Sequence, residues 1–278
     1  METLTGLLKK GQEILAQAGI EEAGLDARLL LEYITGKSRA YYLAHGEECV
    51  TKETADRYLE LVTGRSQHIP LQHLTHQAFF MGYEFYVNED VLIPRQDTET
   101  LVEEALRLLK GRQKPRVLDM CTGSGCIIIS ILKKCSGIQG TGSDISKQAL
   151  NVAKENAKLN NVAVDFERSD MFENLSDKYD MIVSNPPYIR SDVVPTLMPE
   201  VCEFEPLDAL DGHEDGLYFY RKIIKECKSF LKENGKILFE IGNDQGQAVS
   251  DMLTYAGFRN VGVIKDLAHN DRVVVGML

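Results

Sequence analysis

The chain lacks several features that would place it at once in a broad class of protein. Within its 278 residues no apolar run approaches the roughly 18 residues of a membrane-spanning helix, and the beginning, METLTGLLKKGQE, is not typical of a secretory signal. None of the six cysteines belongs to a C-x-x-C pair, which disfavours a zinc ribbon or a redox motif. The sequence therefore predicts a cytoplasmic protein with free thiols, no metal site and no membrane segment.

An excess of basic residues is also absent. Lysine and arginine together number 31 against 42 aspartate and glutamate residues, which gives a formal net charge of −11. An acidic total disfavours a large, non-specific contact with nucleic acid phosphates. We therefore expect no direct nucleic acid contact, whereas a protein partner remains possible.

The first part of the chain has a helical rhythm and the next part does not. TLTGLLKKGQEILAQAG and three further segments have apolar residues at helical spacing and end at glycines, which predicts a helical N-terminal domain over residues 1–75. The segment FFMGYEFYVNEDVLIP is aromatic and contains turn residues, so residues 76–95 are predicted to form a β-hairpin linker.

Strand and helix patterns alternate in the rest of the chain, residues 96–278. DTETLVEEALRLLKG is predicted to be a helix capped by Asp97 or Thr98, and the alternation begins at residue 115. It includes one long predicted helix, GLYFYRKIIKECKSFLKENG, and two closing strands joined by AHND, which we expect to be antiparallel neighbours. Such alternation is typical of an α/β fold with a mainly parallel sheet.

The first chemical motif is a glycine loop followed by an acidic residue. VLDMCTGSGC places Gly123 and Gly125 between a strand and a helix, where glycines allow a tight turn and close approach to a ligand. Asp144 ends the next strand, where an acid can accept hydrogen bonds from ribose hydroxyls. The third strand is followed by Asp170 and Phe172, which we expect to contact the amino group and the ring of an adenine.

The glycine loop differs from two common nucleotide motifs. A dinucleotide fingerprint would require glycine where Ile128 stands, and the G-K-[ST] of a phosphate-binding loop is absent. A nucleoside ligand without a pyrophosphate fits better, and S-adenosylmethionine is the common one. Asp119, at the end of the preceding strand, belongs to the same set of residues.

The second motif is Asn185-Pro186-Pro187-Tyr188, which follows the fourth strand of the alternating series. A planar amide or exocyclic amine is a poor nucleophile because its lone pair is conjugated. The side-chain oxygen of Asn185 and the carbonyl of Pro186 can accept hydrogen bonds from its two N–H groups and favour the charge that develops there. The prolines fix the direction of the carbonyls, and Tyr188 is predicted to pack flat against the planar target.

With these motifs the chain resembles the release-factor glutamine N5-methyltransferases, the HemK-like family, over nearly its whole length. The resemblance rests on FMGYEFYVNEDVLIPRQDTETLVE, VLDMCTGSGCIIIS, DMIVSNPPYIR, EPLDALDGHEDGLYFYR, FEIGNDQGQ and DRVVVG. It implies a seven-stranded, Rossmann-like catalytic domain and a small helical domain for substrate recognition. It implies methyl transfer from S-adenosyl-L-methionine, with S-adenosyl-L-homocysteine as product, to the glutamine of the Gly-Gly-Gln motif of peptide chain release factors in translation termination.

The resemblance also implies roles for individual residues. The cofactor contacts would be Thr122, Gly123, Ser124, Gly125, Cys126, Asp144, Phe172 and Asn185. The glutamine site would be formed by Asn185, Pro186, Pro187 and Tyr188, with PRQDTE as part of the wall around the methionine end of the cofactor. A monomer should suffice.

Three positions depart from the family pattern, and two other functions remain open. Gln96 follows Arg95 where a proline is expected, His76 replaces a common glycine, and Phe172 replaces a frequent tryptophan. An adenine-N6 nucleic-acid methyltransferase would share the N-P-P-Y motif, but the acidic charge disfavours it. A non-catalytic S-adenosylmethionine-binding protein is disfavoured by the intact Asn185 and Tyr188.

Overall fold

The structure, a computed structural model, describes residues 2–278, and the chain divides into two compact units. One unit comprises the chain up to His76 together with Met198–Phe204, and the other comprises Gln77–Leu197 and Glu205–Leu278. The predicted assignment of a substrate-recognition domain, a linker and a catalytic domain stays a prediction. Within the described residues, no helix is both long enough and apolar enough to cross a membrane.

The first unit is helical, as its apolar spacing predicts. Its helices are α1 (Leu4–Gln17), α2 (Ala23–Thr35), α3 (Arg39–His45), α4 (Lys52–Ser66) and α5 (Leu71–Thr75). Thr3 and Thr51 cap α1 and α4, because their side-chain oxygens accept hydrogen bonds from backbone N–H groups of the first turn. Gly11 lets α1 approach α4, since a Cβ atom there would lie 2.0 Å from the Tyr58 hydroxyl oxygen.

The segment Met198–Phe204 belongs to this helical unit through a buried arginine. Arg65 on α4 donates from Nε to Oδ2 of Asp26 at 2.7 Å and from Nη2 to Oε1 of Glu200 at 3.0 Å. Glu200 lies in a single helical turn, Pro199–Cys202. One guanidinium group therefore joins α2, α4 and a segment more than a hundred residues away in the sequence.

The second unit begins with the predicted hairpin, which is confirmed. Strands β1 (Gln77–Phe80) and β2 (Tyr83–Tyr86) pair antiparallel, with Met81 and Gly82 in the turn. Asn156 fastens the hairpin to the rest of the unit, because its side chain accepts from the Tyr86 N–H at 2.7 Å and donates to the Tyr86 carbonyl at 2.9 Å.

The main sheet has seven strands, so the predicted α/β fold is confirmed. They are β3 (Arg116–Met120), β4 (Gln139–Asp144), β5 (Asp165–Arg168), β6 (Tyr179–Ser184), β7 (Leu231–Glu240), β8 (Arg259–Lys265) and β9 (Asp271–Met277). Their order is β5-β4-β3-β6-β7-β9-β8, and only the pairings of β9 with β7 and β8 are antiparallel. The strand before Asn185 therefore lies beside the strand before the glycine loop.

Helices cover both faces of this sheet. They are α6 (Glu99–Leu109), α7 (Cys126–Lys134), α8 (Lys147–Leu159), α9 (Tyr218–Glu226) and α10 (Gly246–Tyr255). Successive residues of β3, Val117 and Leu118, belong to two different buried clusters, because side chains alternate across a strand. One cluster contains Tyr220 and Phe239, and the other contains Phe85 and the isoleucines of α7.

Two details of the predicted helices are wrong. The long helix predicted to reach Gly235 ends at Glu226, and β7 already begins at Leu231. Leu231 is buried and pairs with Tyr179 of β6, so sheet packing outweighs the helical propensity of the residues around it. Neither Asp97 nor Thr98 caps α6 with its side chain, since Gln96–Thr98 form a 3-10 turn that leads into the helix.

Candidate active site

A cavity of about 660 Å³ lies in the second unit at the carboxyl ends of the parallel strands. Its lining includes the residues after β3, β4, β5 and β6, where ligands of open α/β sheets bind. It also includes Pro94, Arg95 and Thr98 from the segment after the hairpin and Pro206–Ala209 from the loop after β6. The volume is in the range of small-molecule sites.

The glycine loop between β3 and α7 adopts backbone angles that favour glycine. Gly123 has φ +53° and Gly125 has φ +79°. Gly125 is also crowded, because a Cβ atom there would lie 3.0 Å from Cδ1 of Ile129 and 3.2 Å from Cβ of Ala153. The loop therefore presents backbone rather than side chain to the cavity at Gly123, while Gly125 permits α7 to pack closely on α8.

Asp144 forms the acidic wall of the cavity at the end of β4. Its Oδ2 accepts from the Gly123 N–H at 2.9 Å and its Oδ1 accepts from the Ser146 N–H at 2.9 Å. Burial raises the pKa of this carboxyl group, and the backbone donors oppose the rise. Each oxygen keeps a further lone pair, so the group can also accept hydrogen bonds from a ligand.

Asp119 supports the loop from behind. Its Oδ2 accepts from the Thr122 hydroxyl at 2.6 Å and from the Ile128 N–H at 3.3 Å, which ties the loop to the first turn of α7. Its Oδ1 is buried and has no hydrogen-bond partner among residues 2–278. Complete burial raises the pKa of Asp119 to about 7.

The corner after β6 is fixed by hydrogen bonds on both sides. Ser184 donates from its hydroxyl to the Met120 carbonyl at 2.7 Å, and the Tyr188 carbonyl accepts from Nε2 of Gln245 at 2.9 Å. Asn185 donates from Nδ2 to the Thr98 hydroxyl oxygen at 3.5 Å. The Asn185 side chain is therefore oriented at the cavity by a residue from the segment after the hairpin.

Most of the predicted site residues meet at this cavity. Those that line it are Thr122, Gly123, Ser124, Cys126, Asp144, Asp170, Asn185 and Pro187. Gly125, Phe172, Pro186 and Tyr188 are also described by the structure but lie outside its lining. Phe172 is 2% exposed and its ring stacks on Phe230 at 4.5 Å between centroids, so the side chain belongs to the core. Its predicted contact with adenine, like the predicted ligand contacts of the others, stays a prediction.

A group of polar residues beside the corner was not assigned from the sequence. Glu240, at the end of β7, is 1% exposed, and its Oε1 accepts from the Tyr188 hydroxyl at 3.5 Å. Arg272 of β9 makes ion pairs of 3.1 Å with Asp97 and with Asp266. Burial raises the pKa of Glu240 to about 7. The sequence signals were the position of an acidic residue at the carboxyl end of an apolar strand and the place of Glu240 and Arg272 in the segments FEIGNDQGQ and DRVVVG.

Comparison with known proteins identifies the family. Residues 6–75 match the family model described as PrmC N-terminal domain, and residues 97–199 match that described as Methyltransferase small domain. The chain is 40% identical over 276 residues to the release factor glutamine methyltransferase of Clostridium botulinum, covering 98% of each chain. It is 39% identical over 278 residues to that of Agrobacterium fabrum, covering 98% of this chain and 96% of the other.

The chain belongs to the release factor glutamine methyltransferase family. The resemblance drawn from its motifs is thereby confirmed. Solved structures that match this family member at low identity show its fold. The hMettl16 catalytic domain, in complex with a MAT2A 3'UTR hairpin, is 15% identical with a TM-score of 0.60, covering 88% of this chain and 91% of that one. A methyltransferase from Pyrococcus furiosus is 15% identical with a TM-score of 0.51, covering 69% and 87%.

Proposed function

We propose that this chain transfers a methyl group from S-adenosylmethionine to the side-chain amide nitrogen, N5, of the glutamine in the Gly-Gly-Gln motif of peptide chain release factors. The observation that carries the proposal is the meeting of Asn185 with the glycine loop and Asp144 in one cavity. The names of its full-length relatives support the choice of substrate. The partner is a release factor, and we expect the enzyme to act as a monomer without contacting nucleic acid directly.

The residues of the cavity fit the methyl donor. Asp144 offers lone pairs to ribose hydroxyls from a carboxylate already held by the Gly123 and Ser146 N–H groups. Ile145, beside it, is 53% exposed and lines the cavity, so its apolar side chain is available to a planar ring. Thr122, Ser124 and Cys126 surround the glycine loop on the same wall. S-adenosylmethionine, when bound there, supplies an electrophilic methyl group on a sulfonium.

The corner after β6 is suited to hold the acceptor amide. The Oδ1 atom of Asn185 and the carbonyl of Pro186 are the two acceptors that would take its N–H groups. Pro186 and Pro187 fix the backbone there, because each proline ring locks its φ angle. Tyr188 is held in turn, since its hydroxyl donates to Glu240 and its carbonyl accepts from Gln245. A preorganised set of acceptors needs no reorganisation when charge develops on the nitrogen.

The reaction requires only that the glutamine amide is oriented toward the methyl group and that the positive charge developing on its nitrogen is stabilised. The glutamine N5 atom forms a bond to the methyl carbon as the carbon–sulfur bond breaks, and the positive charge moves from sulfur to nitrogen. Asn185 and Pro186 stabilise that charge through the hydrogen bonds they accept. The nitrogen then loses one proton to solvent and regains its conjugation, so no general base is required.

Mass spectrometry of a purified release factor after incubation with the enzyme and methyl donor tests the proposal. We expect one added methyl group, located on the Gly-Gly-Gln glutamine. Asn185→Ala should lower kcat about 100- to 1,000-fold, the typical loss for a preorganised polar contact. Asn151→Ala, on the exposed side of α8, is the matched control and should retain the wild-type rate. Methylation of DNA or RNA adenine in place of the release factor would contradict the proposal.

A further inference from the structure

We propose that Thr98 is a positioning residue for methyl transfer: its hydroxyl oxygen accepts a hydrogen bond from the amide nitrogen of Asn185 and thereby turns the Asn185 oxygen toward the glutamine. The inference deepens the proposed function and rests on it. Thr98 is 3% exposed, belongs to the 3-10 turn before α6, and lies 3.5 Å from Nδ2 of Asn185.

The orientation of the Asn185 amide decides whether the site works. Its two ends have nearly the same shape, but only the oxygen can accept an N–H of the substrate amide, whereas the nitrogen would face it with a donor. A neighbouring group that can only accept a hydrogen bond at this position keeps the amide nitrogen turned toward itself and the amide oxygen turned toward the substrate. Hydrogen bonds in active sites are often long before a substrate binds and tighten in the complex.

Glu240 favours the Thr98 hydroxyl as that acceptor. Hydrogen bonding from the Thr98 side chain lowers the pKa of the Glu240 carboxyl group, against the larger rise caused by burial. An ionised carboxylate can only accept a hydrogen bond, so the proton of the Thr98 hydroxyl is favoured in the direction of Glu240. The lone pairs of the Thr98 oxygen then remain for the Asn185 nitrogen. Glu240 also accepts from the Tyr188 hydroxyl, so one buried carboxylate lies behind both polar side chains of the corner.

The protonation state of Glu240 is therefore part of the arrangement. The titratable groups that act on it come from five places: Asp97 of the 3-10 turn, Arg272 of β9, Tyr188 after β6, Tyr220 of α9 and Cys126 of α7. A protonated Glu240 can donate to Thr98, whose own proton is then free to point at the Asn185 oxygen and to favour the reversed amide. Its pKa of about 7 places this change near neutral pH, so kcat should fall as the pH is lowered through that value.

The test compares Thr98→Val, which keeps the branched shape and removes the hydroxyl, with Thr98→Ser, which keeps the hydroxyl. Thr98→Val should lower kcat for release factor methylation about 10- to 100-fold, the scale of a misoriented reacting pair. Its dissociation constant for S-adenosylmethionine, measured by calorimetry, should change less than about twofold. Thr98→Ser should restore most of kcat. Thr254→Val is the matched control, because the Thr254 hydroxyl donates to the Ser250 carbonyl within α10.

Two further readouts separate positioning from a structural role. Thr98→Val should flatten the fall in kcat below pH 7 that the wild type shows. In an Asn185→Ala background, Thr98→Val should have no additional effect, because the group through which it acts is gone. If Thr98→Val fails to fold, Thr98→Ala removes the same hydroxyl without the branch and serves for all comparisons.

The outcomes distinguish this inference from the function on which it rests. A wild-type enzyme that methylates no release factor overturns the proposed function and, with it, the role of Thr98. A wild-type enzyme that methylates the release factor, together with a Thr98→Val enzyme of equal kcat, overturns the role of Thr98 alone. An equal loss of kcat caused by Thr98→Val in the wild-type and in the Asn185→Ala background would also overturn the role of Thr98.

Discussion

Gly123 donates its backbone N–H to Oδ2 of Asp144 at 2.9 Å, across the parallel strands β3 and β4. The glycine loop and the acidic strand end, two motifs separated by more than twenty residues, therefore form one hydrogen-bonded wall of the cavity. Gly123 itself has a positive φ angle, which glycine adopts without steric cost. The loop that borders the cavity is thus held by Asp144, the residue proposed to bind the methyl donor.

Asp144→Asn should weaken binding of the methyl donor about 10- to 100-fold, because a charged hydrogen bond of about 1.5–3 kcal/mol is lost. Isothermal titration calorimetry with S-adenosylhomocysteine measures the effect. Asp165→Asn, at the exposed beginning of β5, makes the same chemical change away from the cavity and should leave the affinity unchanged. Equal affinities of the two variants would remove Asp144 from the proposed cofactor site.

Gly125→Ala should lower the free energy of unfolding more than Gly137→Ala does. Both glycines have φ near +80°, so both substitutions carry the same backbone strain. Only at Gly125 does the new methyl group meet Ile129 and Ala153, whereas at Gly137 no atom lies within 4 Å. We expect the crowding to add about 1 kcal/mol or more, measured by urea unfolding. Equal effects at the two positions would show that backbone strain alone dominates.

Arg65→Met should destabilise the helical unit by about 3 kcal/mol, because Asp26 and Glu200 would lose a buried cationic partner. Far-ultraviolet circular dichroism during thermal unfolding follows this unit, which is rich in helix. Arg190→Met provides the comparison, since the ion pair between Arg190 and Asp192 is exposed to solvent. The control should change stability by no more than about 0.5 kcal/mol, and an equal effect of both variants would contradict the prediction.

Stability should fall as the pH rises from about 5 to about 7.5. Burial raises the folded-state pKa values of Asp119 and Glu240 to about 7, so the folded state binds their protons more tightly than the unfolded state does. The stabilisation is present below the ordinary carboxyl pKa and is lost by about pH 7. Glu240→Gln should reduce this loss by up to about 3 kcal/mol in urea unfolding at pH 5 and pH 8. An unchanged pH dependence would exclude Glu240 as one of the groups responsible.

Local patterns in the sequence were sufficient for the elements that border the site. The glycine spacing before Ile127 predicted a loop between a strand and a helix, and the alternation of strands and helices predicted a mainly parallel sheet. These features depend on residues close in sequence and on the connection rules of parallel sheets. The sheet is mainly parallel, and the closing strands β8 and β9 are antiparallel neighbours, as predicted.

Contacts between distant residues were beyond the sequence patterns. The pairing of Leu231 with Tyr179 ends a helix earlier than its propensity indicates. Phe172 stacks on Phe230, and this partner, rather than its place after a strand, decides where the ring lies. The position of Glu240 behind Tyr188 likewise depends on which strand lies next to β6.

The ion pair between Arg65 and Glu200 has a consequence for how the chain folds during synthesis on the ribosome. Helices α1 to α5 emerge first, yet the unit they form includes Met198–Phe204, which is made more than a hundred residues later. Domains generally fold as they emerge, from the N-terminus onward. Helices α1 to α5 therefore lack the Glu200 partner of Arg65 until strands β3 to β6 of the seven-stranded sheet have been translated. The N-terminal unit therefore finishes folding late in the synthesis of the chain.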